Sequence, residues 1–182
     1  MADKTIVIYT SETGFTKRYA EWIAQALSAE CLELKEADKR NLDEFQTIIF
    51  GGWAIGGFIN KIKWFKKNMA KWQDKKLAVF CVGAGPIENP DIEVAMKNWF
   101  TPEEYEHVSA FYCPGGLNYE KMPARYKLMM KMFVKMLKGK KDKTEADMEQ
   151  IKMVSGSYDI SDRKYIEPIV EWANPTQEIN SF

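Results

Sequence analysis

The sequence predicts an α/β fold, a doubly wound sheet of five parallel strands with helices on both faces. Three observations carry that expectation. Short apolar runs rich in β-branched residues recur, as in "TIVIY" and "TIIFGG", and such runs suit strands buried on both faces of a parallel sheet. Segments with apolar residues at helical spacing separate them, and this alternation builds parallel strand–helix–strand units. No internal repeat or low-complexity linker interrupts the pattern over 182 residues, a length that fits one domain with its own core.

The elements follow in order. Residues 5–9 form a short buried strand. Phe15, Tyr19, Trp22, Ile23, Ala26 and Leu27 then mark a helix over about 15–29. "CLELKEA" (31–37) alternates like an edge strand, and "NLDEF" (41–45) allows a short helical turn. "TIIFGG" (47–52) is the next buried strand. Ile59, Ile62, Phe65, Met69 and Trp72 place a helix after it. "KLAVFCVG" (76–83) is a further buried strand, and "DIEVAMKNWF" (91–100) is helical, with Asp91 at its N-cap or in its first turn after Pro90. "HVSAFYC" (107–113) is the fifth strand. "SDRKYIEPIVEWA" (161–173) is the last helix, with Ser161 as its cap and Pro168 as a kink. In doubly wound sheets ligands sit beyond the carboxyl ends of the strands, where strand order reverses. The chemistry therefore belongs in the loops after 5–9, 47–52, 76–83 and 107–113.

Composition excludes several function classes. Lys+Arg and Asp+Glu both number 26, so overall charge implies no polyanionic partner. Cys31, Cys81 and Cys113 are odd in number and widely spaced, which argues against a disulfide framework or a thiolate metal site and suits a reducing cytosol. The single histidine, His107, opens a strand and is assigned no chemistry. No apolar run approaches the length of a membrane span, and the N-terminus lacks a signal-peptide pattern.

The first loop, "TSETGFT", places Ser11, Thr13 and Thr16 around Gly14 between a buried strand and a helix start. Hydroxyls and the free N–H groups of a helix N-terminus make a phosphate site; a helix cap with spare hydroxyls is the competing reading. The segment has neither the Walker glycine–lysine pattern nor the Rossmann glycine fingerprint. It resembles the flavodoxin phosphate loop, Ser/Thr-x-Thr-Gly-x-Thr, which holds the phosphate of FMN. By that resemblance Ser11, Glu12, Thr13, Gly14, Phe15 and Thr16 bind the cofactor. Glu12 and Phe15 depart from the commoner Thr and Asn, and their side chains are expected to point outward. The loop contains no Arg, and the nearest cations in sequence are Lys17 and Arg18. The resemblance implies a flavodoxin-like sheet in the order 2-1-3-4-5 within one domain, 1–182.

The same resemblance assigns two flavin-ring loops. Trp53 follows a buried strand and stands where flavodoxins often carry an aromatic ring. Trp53, Ala54, Ile55, Gly56 and Gly57 form the first loop, with the glycines free to reorient a peptide beside the flavin N5. The alternative is a core tryptophan followed by a glycine turn. Val82, Gly83, Ala84, Gly85 and Pro86 form the second, offering backbone groups to the pyrimidine end. No Tyr occupies the usual outer stacking position, leaving Tyr112 and Tyr119 as covers.

Residues 121–143 carry nine Lys/Arg and one acid, Asp142, so the remainder of the chain is acidic. This stretch is amphipathic: Lys127, Lys131, Lys135 and Lys138 share one sector, with Met122, Tyr126, Met129, Met130, Phe133, Met136 and Leu137 opposite. It is read as an inserted basic helix after the fifth strand, within an insertion at about 114–156. The lysine face suits an anionic membrane surface or a partner, and a solvated surface helix is the alternative. Nucleic acid is not expected, since no base-reading motif accompanies the charge. The insertion, with Gly116, Leu117, Asn118 and Tyr119, resembles that of membrane-associated flavodoxin-like protoporphyrinogen dehydrogenases, which use FMN with a quinone acceptor.

Three functions follow as expectations. The chain is a cytoplasmic electron carrier passing electrons through non-covalent FMN to a redox protein. Alternatively it is an FMN-dependent enzyme, either a quinone-linked protoporphyrinogen dehydrogenase or a reductase of small molecules. The third is a non-redox adaptor that has lost FMN. No metal ligand and no catalytic acid or base is assigned, because a flavin carries the redox chemistry itself.

Overall fold

In the computed structural model residues 4–174 are described, so both ends of the expected 1–182 domain, residues 1–3 and 175–182, fall outside. Five strands run parallel: β1 (Thr5–Tyr9), β2 (Glu30–Glu33), β3 (Thr47–Ile55), β5 (Lys76–Gly83) and β6 (Val108–Pro114). They pair in the order β2-β1-β3-β5-β6, which is the expected 2-1-3-4-5 once the short β4 (Phe58–Ile59) is set aside. β4 folds back on β3 as an antiparallel hairpin.

Successive residues of a strand face opposite sides, and the chain fills both. Ile6, Ile8, Ile48, Phe50, Leu77 and Val79 pack on one side with Phe65 of α3 (Ile62–Met69), Trp72, Trp99 and Phe100. Val7, Ile49, Ala78 and Phe80 pack on the other with Tyr19, Ala20 and Ile23 of α1 (Phe15–Leu27) and Ile169 of α8 (Glu167–Ala173). The strand order reverses at β1 and β3, so the loops after these strands flank one crevice.

Several boundaries differ from the sequence reading. β2 stops at Glu33, where β1 also ends through the pair Tyr9↔Glu33. With no ladder partner beyond it, Leu34–Ala37 folds instead into α2, and Leu, Lys, Glu and Ala are strong helix formers. β3 continues through Trp53 to Ile55, so the first ring segment is a strand end and hairpin rather than a loop. α4 (Pro90–Lys97) is capped by the Asn89 side chain, with Asp91 in its first turn. A short helix, α5 (Pro102–Tyr105), follows a Thr101–Glu104 capping box. Ser161 is not the final cap. Asp162 caps a 3₁₀ turn over Arg163–Ile166, and Pro168 starts α8 rather than kinking it, as suits a residue with no N–H to donate.

The insertion is a closed excursion. β7 (Gly116–Leu117) and β8 (Tyr158–Asp159) pair antiparallel and bring its two ends together. Between them lie α6 (Ala124–Gly139) and α7 (Glu145–Val154), the latter opened by a Thr144–Asp147 capping box. Leu117, Met122, Leu137 and Val154 form a small core separate from the sheet-flanking ones, with Tyr126, Met130 and Phe133 half-buried against it. Met129 and Met136, grouped from the sequence with the packed face, are exposed together with Leu128 and Met132. Lys131, Lys135 and Lys138 are exposed, whereas Lys127 is half-buried. Among the described residues no helix is long and apolar enough to cross a membrane.

Candidate functional site

The crevice begins where β1 ends. Thr10 N–H donates to Gly51 O at 2.9 Å, tying the loop to β3. The chain then turns through Gly14, whose φ of +102° is left-handed backbone, open to glycine without strain. Gly14 N–H donates to Ser11 Oγ at 3.2 Å, which shapes the bend. No side chain caps α1, so the first N–H groups of the helix keep no intrahelical acceptor. The hydroxyls of Thr13 and Thr16 make no hydrogen bond to protein among the described residues, although Thr16 is 1% exposed. The bend is therefore a set of uncommitted donors at the positive end of a helix dipole.

Phe15 does not point outward. Its ring is buried in the core beneath α1, where it anchors the helix start. Glu12 is exposed, and its carboxylate meets Arg125 of α6, Nη2 to Oε1 at 3.4 Å. The cations nearest in sequence are engaged elsewhere: Lys17 lies 3.8 Å from Glu21, and Arg18 donates to Asp159 at 2.5 Å and Ser161 Oγ at 2.7 Å.

Opposite this bend stands Trp53, half-buried at the end of β3. Its Nε1 is buried without a hydrogen-bond partner, and an unmade bond of that kind costs about 1–3 kcal/mol. An acceptor atom on a ligand would satisfy it. Gly56 and Gly57, with φ of +56° and +82°, form a two-residue hairpin turn of the kind that requires positive φ at both positions. Gly57 O accepts from Trp99 Nε1 at 2.9 Å.

After β5 the backbone carbonyls are spoken for. Gly83 O accepts from Gly115 N–H at 2.7 Å, Ala84 O from the Tyr158 hydroxyl at 2.6 Å and Gly85 O from the Tyr112 hydroxyl at 2.8 Å. Burial pushes both phenols up, Tyr158 to about 12, which keeps them neutral donors. The N–H groups of Ala84 and Gly85 donate to no protein acceptor among the described residues. This segment thus presents donors, matching a ligand edge rich in carbonyl oxygens.

One cavity of about 190 Å³ joins the three segments. Ser11, Glu12, Thr13, Phe15, Thr16, Trp53, Ala54, Ile55, Gly56, Val82, Gly83 and Ala84 line it; Gly14, Gly57, Gly85 and Pro86 do not. The fourth wall, unforeseen from the sequence, comes from the insertion: Met122, Pro123, Tyr126, Met129 and Met130, with Gly116 and Leu117. Tyr126 meets Trp53 edge-on at a ring-centroid distance of 4.9 Å. It takes the covering position expected of Tyr112 or Tyr119, whose hydroxyls instead bond Gly85 O and Val154 O. The cavity is smaller than the roughly 300–1,000 Å³ of ordinary ligand pockets, so a flat ligand lying on Trp53 requires Tyr126 to yield. Among the described residues no cluster of potential metal ligands occurs.

A family model for the flavodoxin domain matches residues 6–144. No curated protein matches the chain. Among solved structures, a flavoprotein in complex with FMN from Lactobacillus acidophilus aligns at 19% identity, covering 62% of this chain and 93% of that one, with a TM-score of 0.44. A flavodoxin, WrbA-like protein from Agrobacterium tumefaciens aligns at 22% identity over 61% of this chain and 83% of that one, with a TM-score of 0.41. A flavodoxin from the domain Archaea aligns at 16% identity over 83% of this chain and 92% of that one, with a TM-score of 0.39.

Proposed function

The chain belongs to the flavodoxin domain family, and from that premise we propose that it binds FMN non-covalently and exchanges electrons through it. What supports this reading above all is the convergence of three sequence-distant segments on one cavity whose walls present donors without partners. The bend at 11–16 holds the phosphate through hydroxyls and N–H groups. Trp53 supplies a flat apolar platform for the ring, and the Ala84 N–H on the cavity wall donates to a pyrimidine oxygen. Bound flavin supplies one- or two-electron chemistry, and the protein tunes it through stacking, burial and hydrogen bonding. Among the described residues the only titratable side chains on the cavity wall are those of Glu12 and Tyr126, in keeping with a reaction that needs no protein acid or base.

Purified protein titrated with FMN should quench flavin fluorescence with one equivalent bound, and the bound flavin should reduce and reoxidise reversibly. Absence of any flavin binding removes the redox reading and leaves the adaptor alternative. The acceptor is a redox protein or a quinone or other small molecule. The resemblance of the insertion to that of protoporphyrinogen dehydrogenases favours the small-molecule enzyme as second reading, tested by quinone-dependent oxidation of protoporphyrinogen.

We place the protein in the cytosol, consistent with Cys31, Cys81 and Cys113 all being free, with α6 docking on an anionic membrane face. Lys131, Lys135 and Lys138 flank the exposed Leu128, Met132 and Met136, an arrangement suited to an interfacial helix. Sedimentation with phosphatidylserine vesicles should be strong at low salt and weaken as salt rises. Changing Lys131, Lys135 and Lys138 to Glu should lower it about tenfold or more. No sedimentation at low salt sinks the membrane docking and leaves the flavin site untouched.

A further inference from the structure

A phosphate dianion set in the bend at 11–16 comes close to the carboxylate of Glu12, and the bend itself carries no cation. Hydrogen bonds alone would have to offset both charges. Neither neighbouring base helps, because Lys17 is turned toward Glu21 and Arg18 toward Asp159 and Ser161. Neither lines the cavity. Arg125 does not line the cavity either, but it is placed differently. It lies in the first turn of α6, between Pro123 and Tyr126, both of which line the cavity beside Ser11, Thr13 and Thr16. Its guanidinium reaches back over the bend to Glu12 at 3.4 Å.

Resting on the FMN reading, we propose that Arg125 is the cationic ligand of the cofactor's phosphate. Guanidinium carries five N–H donors in a planar fork. One is directed at Glu12 and the side chain is 69% exposed, so the remaining donors are free to take a second anion. Arg125 then bridges carboxylate and phosphate, which turns an unfavourable anion pair into two charge-assisted contacts. The same guanidinium sits 4.6 Å from the centroid of the Tyr126 ring, and Tyr126 in turn meets Trp53. One helical turn of the insertion thus addresses both ends of the ligand, phosphate through Arg125 and ring through Tyr126. On this account α6 is a clamp on the cofactor, whatever else its outer face meets.

The test compares FMN with riboflavin, which lacks the phosphate, by fluorescence titration of the full chain. Arg125→Met should weaken FMN about tenfold or more at low ionic strength while riboflavin shifts by less than about twofold. The salt dependence of FMN binding should flatten in the same variant. Arg125→Lys should recover only part of the loss, since a point charge cannot fork between two anions. Tyr126, once displaced from Trp53, covers the outer face of the ring, so Tyr126→Ala should weaken both flavins by one common factor. Riboflavin binding reports that each variant is folded. If Arg125→Met shifts both flavins equally, or neither, the assignment of Arg125 is overturned and the FMN site stands. Wild-type protein that binds neither flavin overturns both.

Discussion

The Thr13→Ala/Thr16→Ala protein is expected to bind FMN about a hundredfold more weakly, or worse, while riboflavin affinity changes by less than about threefold. Each hydroxyl that donates to a phosphate makes a hydrogen bond to a charged group, worth about 1.5–3 kcal/mol, and two such bonds account for the expected factor. Neither hydroxyl bonds to protein among the described residues, so their removal leaves no broken internal network. Thr16 is nonetheless 1% exposed, and Thr16→Val separates shape from chemistry by keeping the β-branch while losing the donor. Thr13→Ala/Thr16→Val should therefore match the double alanine variant in FMN affinity with less loss of stability. Equal losses for FMN and riboflavin would mean that the bend supports the ring and not the phosphate, and the loop assignment would fall.

That experiment reaches into the part of the molecule most legible from sequence. Apolar runs flanked by turn residues located four of the parallel strands, because burial on both faces demands an unbroken apolar stretch, and alternation located the edge strand β2. The bend at 11–16 was legible because its chemistry is local: donors, glycine and helix start lie within six residues. Where a second constraint competed, the sequence pattern misled. Residues 34–37 alternate like a strand, but β1 offers them no partner. Trp53–Ile55 look like a loop because glycines surround them, yet the hairpin with Phe58 and Ile59 extends the strand. The capping boxes at Thr101–Glu104 and Thr144–Asp147 were present as signals for α5 and α7 and could have found both helices.

The fourth wall of the site was out of reach for a different reason. Nothing in the spacing of residues 122–130 says that they return to a loop more than a hundred positions earlier. The β7–β8 pairing and the Arg18–Asp159 contact make that return, and both depend on folded partners. Apolar periodicity in α6 was similarly ambiguous. Met129, Met132 and Met136 carry the apolar pattern beyond the stripe of Tyr126, Met130, Phe133, Val134 and Leu137 that packs in the small insertion core.

The second large effect lies in the sheet itself, at the pair Gly51↔Phe80 on β3 and β5. Phe80 is fully buried, and a Cβ built on Gly51 would sit 2.0 Å from its ring. The ring therefore lies across the bare backbone of the neighbouring strand. Phe80→Ala should cost about 3–5 kcal/mol by opening a cavity, and Gly51→Ala about 1–3 kcal/mol by overpacking. The two changes answer each other, since losing the ring makes room for the new methyl. Urea unfolding of the double variant should show a loss smaller than the sum by more than about 0.5 kcal/mol. Strict additivity would mean that the strands part instead of the ring moving. The consequence for binding follows from position. Trp53 lies two residues beyond Gly51, and Val82 lies two beyond Phe80, so this pair sets the spacing between the ring platform and the backbone donors. Gly51→Ala should accordingly weaken FMN and riboflavin by one common factor, unlike the threonine changes, because it disturbs the seat of the ring and leaves the phosphate bend in place.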